Sequence, residues 1–187
     1  IYGNHYYNDK GDKNGHGTHV SSTAIGKTVG VSPGARVIDV KVLDDNGSGS
    51  YSNIIKGISW SLNNIKKTKK CSIISMSLGG VKSNALNKAV NEAYRLGTMV
   101  ITSSGNRNSD IKYYSPASAL DVITVGSTTT RDSRSYFSNY GKNVDIHAPG
   151  SDIWGAKSGT NGYISLSGTS MSCPHVAGVV SQIMEKD

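Results

Sequence analysis

The sequence predicts an α/β fold: a mostly parallel sheet in three layers, with helices on both faces. Two observations carry this. Strand-like, β-branched runs alternate with helix-spaced apolar residues along most of the chain. The 187 residues suit one domain, which at this size buries roughly 70% of the extended chain's surface. No internal repeat or domain boundary interrupts the pattern, so a single domain over residues 1–187 is expected.

Taken in order, a polar lead-in precedes residues 36–43 (RVIDVKVL), whose β-branched content reads as a buried strand. Residues 50–65 follow as a helix, with Ile54, Ile55, Ile58 and Leu62 on one face and Ser52 as its cap. Residues 71–77 form a second strand that runs into Leu78-Gly79-Gly80. Residues 83–96 are an amphipathic helix bearing Ala85, Leu86, Ala89, Val90 and Ala93, stopped by Gly97. Residues 98–103 and 121–126 are further strands. The stretch 128–167, rich in Gly, Ser and Tyr, reads as sheet edge and loops with strand pieces at 144–146 and 163–166. Residues 170–184 are apolar with few charges, which predicts a buried helix. In sheets of this type active groups collect at the carboxyl ends of strands, and Asn106 and the loop 77–80 lie at such ends.

Composition removes several functional classes. The net charge of +7, from 20 Lys and Arg against 13 Asp and Glu, makes a nucleic-acid partner worth weighing. The densest basic run, Lys66-Lys67-Thr68-Lys69-Lys70, has no aromatic neighbours for base stacking and reads as a solvated connector, so no nucleic-acid partner is expected. Cys71 and Cys173 sit in no metal or redox spacing and leave one bridge or none. No apolar run is long enough to span a membrane or to act as a leader. The chain opens without Met and ends in mid-pattern, as an excised piece would. A monomer is expected.

Three segments offer chemistry. Asn14-Gly15-His16-Gly17-Thr18-His19-Val20 supplies an imidazole, Ser103-Ser104-Gly105-Asn106 an amide donor, and the stretch from Gly168-Thr169-Ser170-Met171 to Gly178 a hydroxyl. These are a base, an oxyanion stabiliser and a nucleophile for acyl transfer. Each has a plainer reading. Ser170 at the start of a buried helix can be a cap, although the positive end of the helix dipole also favours developing negative charge there. His16 with His19 can be half of a zinc site, but three protein ligands are needed and His5, His147 and His175 show no paired spacing, so no metal site is expected. His19 reads as packed beneath the turn and His175 as a satisfied core residue.

Taken together, these blocks, in their order and spacing, with Lys41-Val42-Leu43, Gly47-Ser48-Gly49, Ser115-Pro116-Ala117 and Ala148-Pro149-Gly150, resemble the subtilisin family of serine peptidases over essentially the whole chain. The resemblance implies a three-layer subtilisin-like fold and a serine endopeptidase, with His16 as general base, Ser170 as nucleophile and the Asn106 amide as oxyanion donor beside the Ser170 N–H. It implies that Gly47, Ser48 and Gly49 on one side, and Ser77, Leu78 and Gly79 on the other, grip an extended polypeptide by strand addition. The pocket walls would be residues 77–79 with Ser103, Ser104 and Gly105, and Tyr113 or Tyr114 would stand near its base. It also implies the secretory pathway or extracellular space, and admits an inhibitory propeptide.

The pattern departs from the family in one respect that bears on chemistry. The family's triad runs Asp, His, Ser along the chain, and its D-[ST]-G block has no counterpart here. Asp9 and Asp12 match it neither in sequence nor in distance from His16, and neither is assigned. The expectation is an incomplete domain whose triad Asp lies upstream of Ile1, leaving the stretch 1–187 inactive by itself. The alternative is an inactive pseudopeptidase, a module that only binds peptides. Calcium, the family's usual structural ion, admits a place in the fold, although residues 24–31 are brief and contain no carboxylate for the site often found there. Ser21-Ser22 stands where an Ala-Gly pair is common. Cys173, one turn beyond Ser170, reads as a packing thiol, or as a point where thiol reagents obstruct the site.

Overall fold

The computed structural model describes residues 3–6 and 11–185; Asp9 lies outside them. Four parallel strands make the central sheet, in the order β3 (Ile73–Met76), β5 (Met99–Ser103), β7 (Ile123–Thr128), β8 (Ile146–Pro149). The register pairs Met76 with Thr102, Ser103 with Val125, and Val125 with Ile146, which brings the carboxyl ends of β3 and β5 side by side. A short parallel pair, β1 (Gly3–His5) with β2 (Asp39–Lys41), and two antiparallel pairs, β4 (Gly80–Val81) with β6 (Tyr114–Ser115) and β9 (Ile153–Ala156) with β10 (Tyr163–Leu166), lie apart from it.

Alternation along β5 divides the core in two. Val100 points to one face, where Ile54 and Ile58 of α2 (Tyr51–Thr68) and Leu86, Val90 and Ala93 of α3 (Asn84–Arg95) are packed. The next residue, Ile101, points to the other face and meets Cys173, Val176 and Ala177 of α4 (Thr169–Met184). Helix α1 (His16–Ile25) packs against α4, so the second face is two helices deep. The predicted three-layer arrangement, with helices on both faces of a parallel sheet, is the fold observed.

Several boundaries differ for local reasons. The strand expected at 36–43 is confined to Asp39–Lys41 and is only half-buried, because Val37 and Ile38 stand in solvent at 41% and 44% exposure instead of meeting a helix. The cap of α2 is Ser50, not Ser52: its side chain accepts the N–H of Asn53. Lys66 and Lys67 belong to the last turn of α2, where they favour the helix's negative end. The strand expected at 144–146 begins instead at Ile146; Asp145, though exposed, accepts the Thr124 N–H through its carboxylate at 2.8 Å. Helix α4 is buried through its first half only; Val179 and Ile183 are exposed. The Ser22 hydroxyl donates to the His19 carbonyl and accepts the Ala156 N–H, so it fastens α1 to the β9–β10 hairpin.

Candidate active site

The N-terminus of α4 and the loop after β5 meet at the carboxyl edge of the sheet, and His16 starts α1, the helix packed against α4. His16 opens α1 directly after Gly15, whose left-handed backbone (φ 92°) a side chain would strain. No side chain caps that helix from the usual position. Asp12 does so from outside: one carboxylate oxygen accepts the Gly15 N–H at 2.8 Å, and the other accepts both the N–H and the hydroxyl of Thr18 at 2.7 Å. Burial pushes the Asp12 carboxyl up, but the hydrogen bonds from Thr18 and Gly15, with the field of Lys41, outweigh it and hold the group below its ordinary range. Asp12 is thus committed to the turn.

Burial pushes the His16 imidazole below its ordinary value. The Asp12 carboxylate opposes that shift and His19 adds to it; the net direction favours the neutral imidazole, the form that accepts a proton. His19 is fully buried, and its Nε2 faces the carbonyls of Ile153 and Ile164 at 3.0 and 3.2 Å, which fixes the proton on that nitrogen. His175 Nδ1 lies 2.8 Å from the Met171 carbonyl, one turn back on its own helix. Both histidines are therefore internal fasteners. Among the described residues no group of three or more His, Cys, Asp or Glu could hold a metal ion.

Ser170 is the second residue of α4, behind the Gly168 cap, and its Oγ donates to the Ser77 carbonyl at 3.3 Å; Ser77 Oγ in turn donates to the Ser170 carbonyl at 2.8 Å. The strand-end segment after β3 is thereby stitched to the first turn of α4. Asn106 approaches from the end of β5. Its Oδ1 accepts both the N–H and the hydroxyl of Thr169 at 2.8 Å, which leaves the Nδ2 N–H groups of this exposed residue as its remaining donors. That amide lies close over the helix start: a Cβ placed on Gly168 would stand 3.2 Å from Nδ2. The structure thus brings the Ser170 hydroxyl, at a helix N-terminus, and the Asn106 amide to one edge of the sheet.

The remaining predicted residues fall around this edge. Ser103 and Ser104 are buried, Gly105 is half-buried, and the Gly105 N–H donates to the Thr169 hydroxyl at 3.0 Å. Ser77 and Leu78 are half-buried and Gly79 is exposed. Gly47, Ser48 and Gly49 are exposed in a loop shaped by Asp44, whose Oδ1 accepts the N–H of Asn46 and of Ser48. Asn14 ties that loop to the histidine turn by donating to the Asp45 carbonyl and accepting the His16 N–H. Tyr113 is 56% exposed beneath the Lys112 ammonium, whereas Tyr114 is half-buried and pairs through its backbone with Val81. Cys173 is buried against the sheet, with its Sγ 3.6 Å from the Ile101 carbonyl and 3.6 Å from the Ser75 hydroxyl.

Two participants were not legible in the sequence. Asp12 gave no signal beyond an acidic residue before a Gly-rich turn. Asn139, from the Ser- and Tyr-rich loop between β7 and β8, holds the Asn106 loop from below; it reads in sequence as an ordinary turn residue.

This architecture is that of subtilisin-like serine proteinases. A solved structure described as a cold adapted subtilisin-like serine proteinase superposes with a TM-score of 0.94 at 42% identity, covering 100% of this chain and 68% of that one. The profile of the subtilase family matches residues 2–187, and the chain belongs to that family. Subtilisin-like protease 1 of Trichophyton verrucosum is 46% identical over 189 residues, covering 98% of this chain and 47% of that protein. The protein of the same name from Arthroderma otae is 48% identical over 176 residues, with 92% and 36% covered. The chain thus spans about half the length, or less, of the curated relatives it matches.

Proposed function

We propose that this chain is the greater part of the catalytic domain of a serine endopeptidase that cleaves extended polypeptides through an acyl-enzyme. The observation that carries the proposal is the Asn106 amide, held through Oδ1 by Thr169 so that Nδ2 lies over Gly168, beside the helix terminus bearing Ser170. Among the described residues Nδ2 has no hydrogen-bond partner, and a donor of this kind acquires one when a carbonyl becomes an oxyanion. Neutral His16 takes the Ser170 proton as Oγ attacks the peptide carbonyl and returns it to the leaving amine; water repeats the cycle. The backbone N–H at Ser170 is the second oxyanion donor. The carboxylate that orients His16 comes from another segment of the full-length protein, because both oxygens of Asp12 are engaged.

Substrate lies between Gly47-Ser48-Gly49 and Ser77-Leu78-Gly79 as an added strand, with Ser103, Ser104 and Gly105 walling the pocket for the residue before the cut. The secretory pathway or the extracellular space is the compartment expected of such an enzyme, and calcium the structural ion to be sought in the full-length protein.

A fluorophosphonate probe on the full-length protein tests the reading. Labelling at Ser170 that disappears in His16→Ala supports it, and a folded full-length protein that resists labelling leaves a peptide-binding module. Asn106→Ala is expected to lower kcat about 10² to 10³ with KM little changed, a magnitude known from subtilisin itself. Steady-state hydrolysis of a chromogenic peptide measures it.

A further inference from the structure

Asn139 is completely buried, although it belongs to the loop between β7 and β8. Its side chain is spent on one task. Nδ2 donates to the Ser104 carbonyl at 2.8 Å, and Oδ1 accepts the N–H of Arg107 at 2.9 Å and of Ser109 at 3.1 Å. Its own backbone N–H donates to the Gly105 carbonyl at 2.9 Å. These four bonds hold the peptide groups on both sides of Asn106. The neighbours extend the same clamp, since the Asn108 N–H donates to the Phe137 carbonyl and the Tyr140 N–H to the Ser109 carbonyl. The fit is close: Gly105 has φ 101°, and a Cβ there would stand 2.4 Å from Asn139 Nδ2.

The loop therefore has two fasteners. Thr169 fixes the Asn106 side chain, and Asn139 fixes the Asn106 backbone. We propose that Asn139 is a positioning residue for the oxyanion donor, acting through the backbone of residues 104–109. The inference rests on Asn106 being that donor. An oxyanion donor is useful only within about 2.7–3.1 Å of the developing charge, and a misplacement of about 1 Å can cost roughly a hundredfold in rate. A buried primary amide meets the loop's needs with one donor and two acceptances at its two ends. No aliphatic or acidic side chain does so, because the first lacks the groups and an ionised carboxylate lacks the donor for Ser104.

The test is a double-mutant cycle in the full-length protein, using Asn139→Ala, Asn106→Ala and the pair, with kcat and KM read separately. Asn139→Ala is expected to lower kcat about tenfold to a hundredfold with KM within about twofold, and to change kcat less than about twofold once Asn106 is Ala. Equal losses on both backgrounds, or a loss confined to KM, would overturn the proposal. If Asn139→Ala does not fold, the isosteric Asn139→Asp carries the same cycle. Its rate relative to the parent should rise as pH falls, since the protonated acid regains a donor for Ser104; a flat ratio counts against the proposal. Fluorophosphonate labelling of Ser170 separates the two levels. Labelled parent enzyme with an unaffected Asn139→Ala sinks this inference alone, while unlabelled parent enzyme, or an Asn106→Ala without loss, sinks the functional reading and this one with it.

Discussion

At the level of single residues, burial decides which reactive side chains are available. Cys173 is fully buried, and burial pushes its thiol up despite the hydrogen bonds from Ser75 and Ser77, so it stays an inert thiol at neutral pH. Cys71 is exposed at the sheet's amino edge. In the native protein one thiol, Cys71, should react with a disulfide reagent such as dithionitrobenzoate, and both should react in denaturant. A native Cys173 that reacts, with loss of activity, would restore the idea that reagents there obstruct the site. His175 behaves in the same manner. Burial lowers its folded-state pKa, only partly offset by the Met171 carbonyl, whereas the unfolded chain titrates near about 6.5. The unfolded state therefore holds the extra proton across that interval, so stability falls as pH drops through about 6.5 and levels off below the folded value. His175→Gln should flatten part of that slope in urea unfolding measured between pH 7.5 and 5. An unchanged slope would assign the effect to His16, which is shifted in the same direction.

Among the elements, α1 depends most on a residue that lies outside it. Its start carries no side-chain cap of the usual kind, yet Asp12 satisfies the Gly15 and Thr18 N–H groups and adds negative charge at the positive helix end. Asp12→Ala should cost about 1 kcal/mol, the usual size of a lost cap. It should also lower kcat more than it raises KM, because His16 sits within the turn that the carboxylate shapes. Since the folded-state pKa is lowered, the contribution is fully present above the ordinary carboxylate value of about 3.9 and is lost as pH falls through the folded value. Thermal unfolding of parent and variant should converge at acid pH, and a gap that persists there would exclude the carboxylate as its source. By contrast, α2 and α3 carry their own caps, Ser50 and Ser83, and the apolar spacing alone announced both helices to within three residues at either end. The strand at 39–41 was overdrawn because β-branched residues signal extension, not burial, and Val37 and Ile38 stay 41% and 44% exposed.

For the molecule as a whole, what could be read from sequence is what depends on neighbours along the chain: helix spacing, strand alternation, and the motifs that carry the family resemblance. What could not be read is the set of hydrogen bonds that cross about 30 residues or more, such as Asn139 to Arg107 or Ser77 to Ser170. A single asparagine or serine in a loop carries no trace of a distant partner. The sheet's two faces divide the work along this same line. The face under α2 and α3 holds the core that Leu78 packs against, whereas the face under α4 supports the helix that starts with Thr169 and Ser170. Leu86 and Ile101 are both fully buried, one in each core. Replacing either by Ala should cost about 2–5 kcal/mol in urea unfolding of the full-length protein. Their effects on catalysis should differ. A void beneath Cys173 and Ala177 lets the first turns of α4 settle toward β5 and shifts Ser170 relative to Asn106, so Ile101→Ala should lower kcat at a temperature where it is folded. Leu86→Ala should leave kcat unchanged there, because its cavity opens on the opposite side of β5. Equal kcat losses at matched folded fraction would mean that the sheet transmits packing defects between its faces, and that the two cores are not independent.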